Sequence, residues 1–219
     1  MGCAQEPFPW ESAISGRARA AGLTLSDDDA ARLAGHARAV LAANDLLHLT
    51  AITDPERFVE RHLGESFEGA GLVPAACNGP LLDLGSGNGY PGIPIAVVHR
   101  GLVPCLVEAS AKKAAFLSEV LRRLGLDDGR VIDRNVARSD DLATLPPVSV
   151  LVTRAMGGWE RIVPKLAARI GPGGRVLIWG STDSEPIFRR SAWTRFRLEA
   201  SRPIPRRDRS VIFALSINN

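Results

Sequence analysis

The sequence predicts an α/β protein: a mostly parallel sheet of seven strands that ends in an antiparallel edge hairpin and is preceded by a helical extension. Three observations carry this. Residues 1–80 contain helix caps followed by apolar residues at helical spacing. From Leu81 onward, short apolar runs alternate with amphipathic segments, the pattern of a parallel sheet covered on both faces. Near the end, two strand-like runs are separated by a connection too short for a crossover helix, so they must pair antiparallel. The chain of 219 residues suits one full-sized domain plus an appended segment, divided as an extension over 1–80 and a core domain over 81–219.

Within the extension, Ser26 followed by Asp27, Asp28 and Asp29 offers an N-cap with acids in the first turn, and Leu33, Ala37, Val40 and Leu41 follow at helical spacing. Thr53-Asp54-Pro55-Glu56 opens another helix, whose apolar side is Phe58, Val59, His62, Leu63 and Phe67 and which Gly69 and Gly71 close. Residues 1–20 are expected to be disordered, and 74–80 to be a short linker. Strands are expected at 81–84, 103–107, 130–134, 148–153 and 176–179. Helices are expected at 111–124, ended by Gly125, and at 159–170, ended by the turn Gly171-Pro172-Gly173-Gly174. A final helix after Glu185 precedes the strands 195–201 and 210–216.

Composition excludes several classes. Hydrophobic residues make up 45% of the chain, yet no run approaches the roughly eighteen apolar residues a membrane span needs, so a soluble protein is expected. Cys3, Cys77 and Cys105 are odd in number and lack ligand or redox-pair spacing, which fits a reduced cytoplasm. His36, His48, His62 and His99 lie far apart, and no metal is expected. The net charge of +3 conceals opposite halves: six basic and eleven acidic residues in 1–80, twenty-one and thirteen in 81–219. Positive charge is densest where Arg189, Arg190, Arg195, Arg197, Arg202, Arg206, Arg207 and Arg209 face only Glu199 and Asp208, a pattern suited to a polyanion. With twenty-four arginines to three lysines, the same tail is equally readable as a solvated face.

The sharpest local signal follows the first core strand: Asp83-Leu84-Gly85-Ser86-Gly87-Asn88-Gly89-Tyr90-Pro91-Gly92. Read as Gly87-x-Gly89-x-x-Gly92 it matches a dinucleotide fingerprint, which would make the chain a dehydrogenase. Pro91 and Pro94, however, remove N–H donors from the start of the next helix, donors that a pyrophosphate would use. S-adenosylmethionine carries no phosphate and loses little. Read as Asp83-x-Gly85-x-Gly87-x-Gly89, the glycines let the backbone approach the methionine portion and Asp83 faces the ammonium and sulfonium side. Glu108, about twenty residues on, stands where an acid accepts both ribose hydroxyls. The favoured fold is therefore Rossmann-like, of the class I S-adenosylmethionine-dependent methyltransferases.

These residues resemble the RsmG (GidB) family, which methylates a guanine N7 atom in the decoding-region loop of bacterial 16S rRNA. The resemblance spans 44–180 and rests on Leu49-Thr50-Ala51-Ile52 with Asp54-Pro55, on Arg61-His62-Leu63 with Ser66, and on the glycine loop running into Pro91-Gly92-Ile93-Pro94. It continues in Glu108-Ala109-Ser110-Ala111-Lys112-Lys113 with Phe116-Leu117 and in Thr153-Arg154-Ala155. It implies cofactor contacts from Gly85, Tyr90, the stretch after the third strand and Arg154. Counted forward, that stretch gives Val136 and Ala137; counted back from Arg154, it gives Ser139 and Asp140, and a carboxylate suits an adenine amino group. The resemblance also makes Arg154 and His62 the candidate catalytic residues, each with a structural alternative, a salt bridge for Arg154 and packing or capping for His62.

RNA contacts are assigned to Arg61, Lys112, Lys113, Arg189, Arg190, Arg206 and Arg207, with 16S rRNA or the small ribosomal subunit as partner and a monomer as the working form. Trp159, Trp179 and Trp193 are expected mostly in the core. Three positions depart from the family: His48 stands for the usual Asn, Glu65 for Asp, and Trp179 for Lys, all expected to border the RNA side. The rival readings are a small-molecule methyltransferase on the same fold and a ribosome-binding module that has lost activity.

Overall fold

The protein is described from a computed structural model over residues 8–136 and 145–218. Disorder was expected over 1–20; residues 10–20 form α1 (Trp10–Ala20), and residues 1–7 lie outside the described residues. Burial explains the difference: Trp10, Ile14 and Ala18 recur at helical spacing and are covered, and the Trp10 ring packs edge-on against Phe8 and Phe58. In α2 (Asp27–Leu47) the Ser26 side chain accepts the Asp29 amide proton, as its cap sequence predicts. The next helix, α3 (55–70), is capped by Asp54 but widens into a π segment over Val59–Gly64 before resuming at Glu65–Ala70. No sequence rule announced that widening, which falls on Arg61 and His62.

Seven strands follow: β1 (Gly79–Leu84), β2 (Leu102–Glu108), β3 (Arg130–Asp133), β4 (Val148–Arg154), β5 (Ile170–Ser181), β6 (Phe196–Pro203) and β7 (Ser210–Ile217). Their order is β3-β2-β1-β4-β5-β7-β6; the first five are parallel, and β7 runs antiparallel to both β5 and β6. The chain progresses one way from β1 to β3 and the other way from β4, so the switch point lies between β1 and β4, where crevices form at strand carboxyl ends. Helices α4 (Gly92–Val98) and α5 (Ala111–Arg123) cover one face.

Two expected helices come out differently. Only Trp159–Ile162 is α-helical (α6); Pro164 lacks an N–H, and Val163–Arg169 tightens into a 3₁₀ stretch. The glycine turn after it lies within β5 as an excursion: Ile170 pairs with Val148 and Arg175 with Val150, leaving Gly171 to Gly174 opposite one residue. The helix expected after Glu185 is two 3₁₀ segments, Thr182–Arg189 and Ser191–Trp193, the first interrupted by Pro186.

Alternation along the strands divides the core. Leu82, Leu84, Leu151, Val176 and Ile178 face Ile162, Val163, Leu166 and Trp193. Leu81, Val150, Val152 and Leu177 face the other way, toward Ile95, Ala70 and Trp179. Beside them α1, α2 and α3 share one cluster with Ile93, Leu106, Leu117 and Val120, so the extension buries its apolar faces against the sheet's own helices. Among the described residues no helix is long and apolar enough to cross a membrane, and no group of three His, Cys, Asp or Glu side chains is placed to hold a metal.

Because Trp10 is buried in that shared cluster, Trp10→Ala should lower unfolding stability by about 3 kcal/mol in a urea titration. An unchanged midpoint would mean that α1 does not belong to the cooperative unit.

Candidate functional site

At the carboxyl end of β1 the chain turns through Gly85, Gly87 and Gly89, all at positive φ (72°, 55° and 89°). The turn is tied to β2: the Gly85 and Ser86 amides donate to Val107 O at 2.9 and 3.0 Å, and Gly87 N–H donates to Glu108 Oε2 at 2.9 Å. Glu108 Oε1 accepts from Ser110 N–H at 2.8 Å. Glu108 is thus placed beside the loop at the end of β2, and its first observed duty is to shape the loop. The three glycines differ in what their missing side chains face. A Cβ at Gly89 would lie 2.6 Å from Ile93 Cδ1 and 3.0 Å from His36 Nε2, and one at Gly85 would lie 3.1 Å from Met156 Cβ, so both are required by packing. At Gly87 the nearest atom would be Gly85 O at 3.9 Å, and this residue alone of the three opens toward space.

Asp83, in β1, is 1% exposed. Its Oδ2 accepts from Gly92 N–H at 3.0 Å, and a Cβ at Gly92 would come within 2.5 Å of it. Its Oδ1 is buried with no partner. The first turn of α4 is therefore closed: Gly92 N–H is taken by Asp83, Ile93 N–H by Gly89 O at 2.9 Å, Pro94 has none, and Ile95 N–H goes to Pro91 O at 3.2 Å. No amide of Gly92, Ile93 or Ile95 is left for a phosphate, and a carboxylate stands where one would sit. Burial pushes the Asp83 pKa up to about 7, against the opposing Gly92 hydrogen bond and Arg154 charge.

Tyr90 is buried, stacked on His36 with centroids 4.4 Å apart, and its hydroxyl has no partner; burial drives that hydroxyl's pKa well above its usual value. His36 Nε2 lies 2.8 Å from Asn88 O, an acceptor, so this nitrogen carries the proton. Asn88 Nδ2 donates to Leu49 O at 3.3 Å, which brings the Leu49-Thr50-Ala51-Ile52 segment against the loop. Asn44 fixes that segment, its Oδ1 accepting from the Leu49 and Thr50 amides at 2.9 and 2.8 Å.

Arg154, at the end of β4, reaches the π segment of α3. It donates to Arg61 O at 3.3 Å and to His62 Nδ1 at 3.0 Å, and lies 3.5 Å from Glu65 Oε2. His62 Nε2 is 2.8 Å from Thr50 Oγ1, and burial next to Arg154 holds the His62 pKa down at about 3. Glu65 also binds Arg61 at 3.0 Å and Arg207 at 3.6 Å.

Of the predicted site residues, Asp83, Glu108, Tyr90, Arg154, His62 and the glycine loop converge at the ends of β1, β2 and β4. Val136 is buried just past β3. Ala137, Ser139 and Asp140 lie outside the described residues. Two of the three departures are buried. Glu65 is 7% exposed, and Trp179 is buried with its Nε1–H on Glu65 O at 3.2 Å and its ring in the space left by Gly69, where a Cβ would lie 2.4 Å away. His48 is exposed, and its carbonyl accepts from Lys113 Nζ at 3.4 Å.

Part of the arginine-rich tail is paired within the chain: Arg202 with Glu68 and Arg207 with Glu65 at half-buried positions, and Arg197 with Glu199 and Arg209 with Asp183 at the surface. Arg189, Arg190 and Arg206 are exposed, as is Lys112. Sequence reading gave no role to His36, Thr50, Asn88 or Met156; Thr50 and Asn88 stand within the quoted segments, and His36 follows Leu33 at helical spacing on the buried side of α2.

The raised Asp83 pKa has a stability consequence. Its neutral form is buried without penalty below its ordinary pKa near 4, and that advantage is lost as pH rises through about 7. Asp83→Asn should therefore gain on the parent protein between pH 4 and 8, by more than about 1 kcal/mol in urea unfolding. A difference constant with pH would contradict the burial argument.

Comparison with known proteins agrees with this geometry. The family described as rRNA small subunit methyltransferase G (GidB) matches residues 29–192. Ribosomal RNA small subunit methyltransferase G of Myxococcus xanthus is 32% identical over 199 residues, covering 88% of this chain and 89% of that one, and that of Sorangium cellulosum is 32% identical over 186 residues, covering 84% and 78%. The Stenotrophomonas maltophilia relative is 40% identical over 134 residues, which is 61% of this chain; the match spans about 60% of the length of that relative. Among solved structures, ribosomal protein L11 methylase from Lactobacillus delbrueckii superposes with TM-score 0.55 at 17% identity, covering 71% of this chain and 80% of that one. Precorrin-6y C5,15-methyltransferase from Geobacter metallireducens superposes at 0.51 and 13%, covering 67% and 84%. These likenesses show the fold, that of class I S-adenosylmethionine-dependent methyltransferases. With the family match enclosing the glycine loop, the Arg154 strand and the π segment of α3, the chain belongs to the rRNA small subunit methyltransferase G family.

Proposed function

We propose that this chain transfers a methyl group from S-adenosylmethionine to a guanine N7 atom in the decoding-region loop of bacterial 16S rRNA. The observation that carries the cofactor assignment is the closed first turn of α4 beside the unpartnered Asp83 Oδ1: it disfavours a diphosphate and suits a cation. The rRNA assignment follows from family membership. In this reading Asp83, Gly85, Gly87, Gly89, Tyr90, Glu108, Val136, Ala137, Asp140 and Arg154 surround the cofactor, with Gly85 and Gly89 acting through loop shape. Residues 81–219 form the methyltransferase domain and residues 1–80 an extension that completes it. The working form is a cytoplasmic monomer.

When bound, the cofactor supplies an electrophilic methyl carbon on a sulfonium. Guanine N7 has a free lone pair at neutral pH, so no general base is required, and the protein's task is to align the reactants and exclude water. His62, neutral and already hydrogen-bonded at both nitrogens, is accordingly not read as a base. Arg154 contributes a fixed positive charge at the switch point. Arg61, Lys112, Lys113, Arg189, Arg190, Arg206 and Arg207 are the proposed RNA-facing cations, with Arg61 and Arg207 sharing Glu65.

Mapping methylated guanines in small-subunit RNA from cells with and without this protein tests the reaction: one N7-methylguanine should disappear with the protein, and an unchanged pattern would refute it. Glu108→Ala should weaken S-adenosylmethionine binding by about 1–3 kcal/mol, because ribose hydroxyls lose their acceptor, and Gly87→Val should abolish it. Normal affinity in both variants would remove the loop assignment. Arg206→Glu should weaken RNA binding and flatten its salt dependence while leaving cofactor affinity unchanged; loss of both together would indicate misfolding.

A further inference from the structure

We propose that His62 is a positioning residue for methyl transfer: its Nδ1 lone pair holds the Arg154 guanidinium in the site without cancelling the arginine's charge. The proposal rests on the reading of Arg154 as a site residue. Hydrogen-bond direction carries the argument. A guanidinium has only donors, so the 3.0 Å contact between Arg154 and His62 Nδ1 requires that nitrogen to accept. The ring proton then sits on Nε2 and is donated to Thr50 Oγ1 at 2.8 Å. Thr50 is itself held in place, since the same oxygen accepts from Ile52 N–H at 3.0 Å. The separate sequence segments around Thr50, His62 and Arg154 thus form one directed chain of donation from the guanidinium to Thr50 Oγ1, and it runs through a ring packed 4.5 Å from Phe58 and 5.2 Å from Tyr90.

A carboxylate would anchor an arginine more strongly, but it would also neutralise it. Here the two close anchors, His62 Nδ1 and Arg61 O, are both uncharged. Of the two carboxyl groups that act on Arg154, Glu65 lies farther away at 3.5 Å and is shared with Arg61 and Arg207, and the buried Asp83 spends its hydrogen bond on Gly92 N–H, so three guanidiniums face two acids and neither acid anchors Arg154 closely. The surplus positive charge remains available to the ligand side of the site. Burial first, and then the charges of Arg154 and Arg61, keep the ring neutral.

The test compares His62→Asn, His62→Leu and His62→Gln. Asn can present Oδ1 at the Nδ1 position, Leu fills the volume without an acceptor, and Gln reaches only the Thr50 side. If His62 positions Arg154, His62→Leu and His62→Gln should lower kcat/KM for the cofactor by about tenfold or more, whereas His62→Asn should recover it to within about threefold of the parent. If His62 only packs, the order inverts, because Leu preserves the apolar contacts that Asn loses. Thermal melting identifies folded variants; should Leu fail to fold, Gln against Asn gives the same comparison. Leu or Gln matching or exceeding Asn, with all folded, overturns the proposal. Arg154→Gln separates the two layers: no effect on transfer or cofactor affinity would remove the reading of Arg154 and the proposal with it, while a defect there alongside an inverted His62 order would remove the proposal alone.

Discussion

The buried carboxylate of Asp83 against the Gly92 amide sets the geometry on which the rest of the site depends. It ties the end of β1 to the first turn of α4, leaves no room for a side chain at position 92, and takes the Gly92 amide, while Gly89 O and Pro91 O take the next two. One oxygen remains buried without a partner, an arrangement with a desolvation cost that a cation can relieve. Around this point the sheet reverses its winding, so Glu108 and Arg154 arrive at the same crevice from β2 and β4 without any contact between them being needed.

A second constraint is electrostatic. The acids of α3, Glu60, Glu65 and Glu68, receive arginines from four places: Arg17 from α1, Arg154 from β4, Arg202 from β6 and Arg207 from the β6–β7 turn. The opposite charges of the two halves of the sequence thus meet at an interface, and part of the basic tail serves to dock α3 on the sheet. Such largely buried pairs add direction more than stability. They place the π segment, and with it His62, where Arg154 can reach it.

Much of the fold was legible because its signals are local. The caps at Ser26 and Asp54, the strand alternation and the proline-limited glycine loop each act within a few residues. What stayed hidden depends on contacts distant in sequence. Trp10, Ile14 and Ala18 mark a helix only once Phe58 and Leu33 are there to cover them, and the burial of Trp179 depends on the space that Gly69 leaves for its indole. The 3₁₀ stretch 163–169 could have been anticipated from Pro164, whereas the excursion in β5 required the register with β4. In the site, residue types at strand ends were readable, but the direction of the Thr50–His62–Arg154 chain was not, since it depends on which nitrogen faces a pure donor.

The central claim is that the turn after β1 accommodates a phosphate-free, sulfonium-bearing nucleoside. A calorimetric titration of the protein with S-adenosylmethionine and, separately, with NAD tests it most directly. The account predicts saturable one-site binding of the first and no measurable heat from the second; tight NAD binding with no heat from S-adenosylmethionine would contradict it.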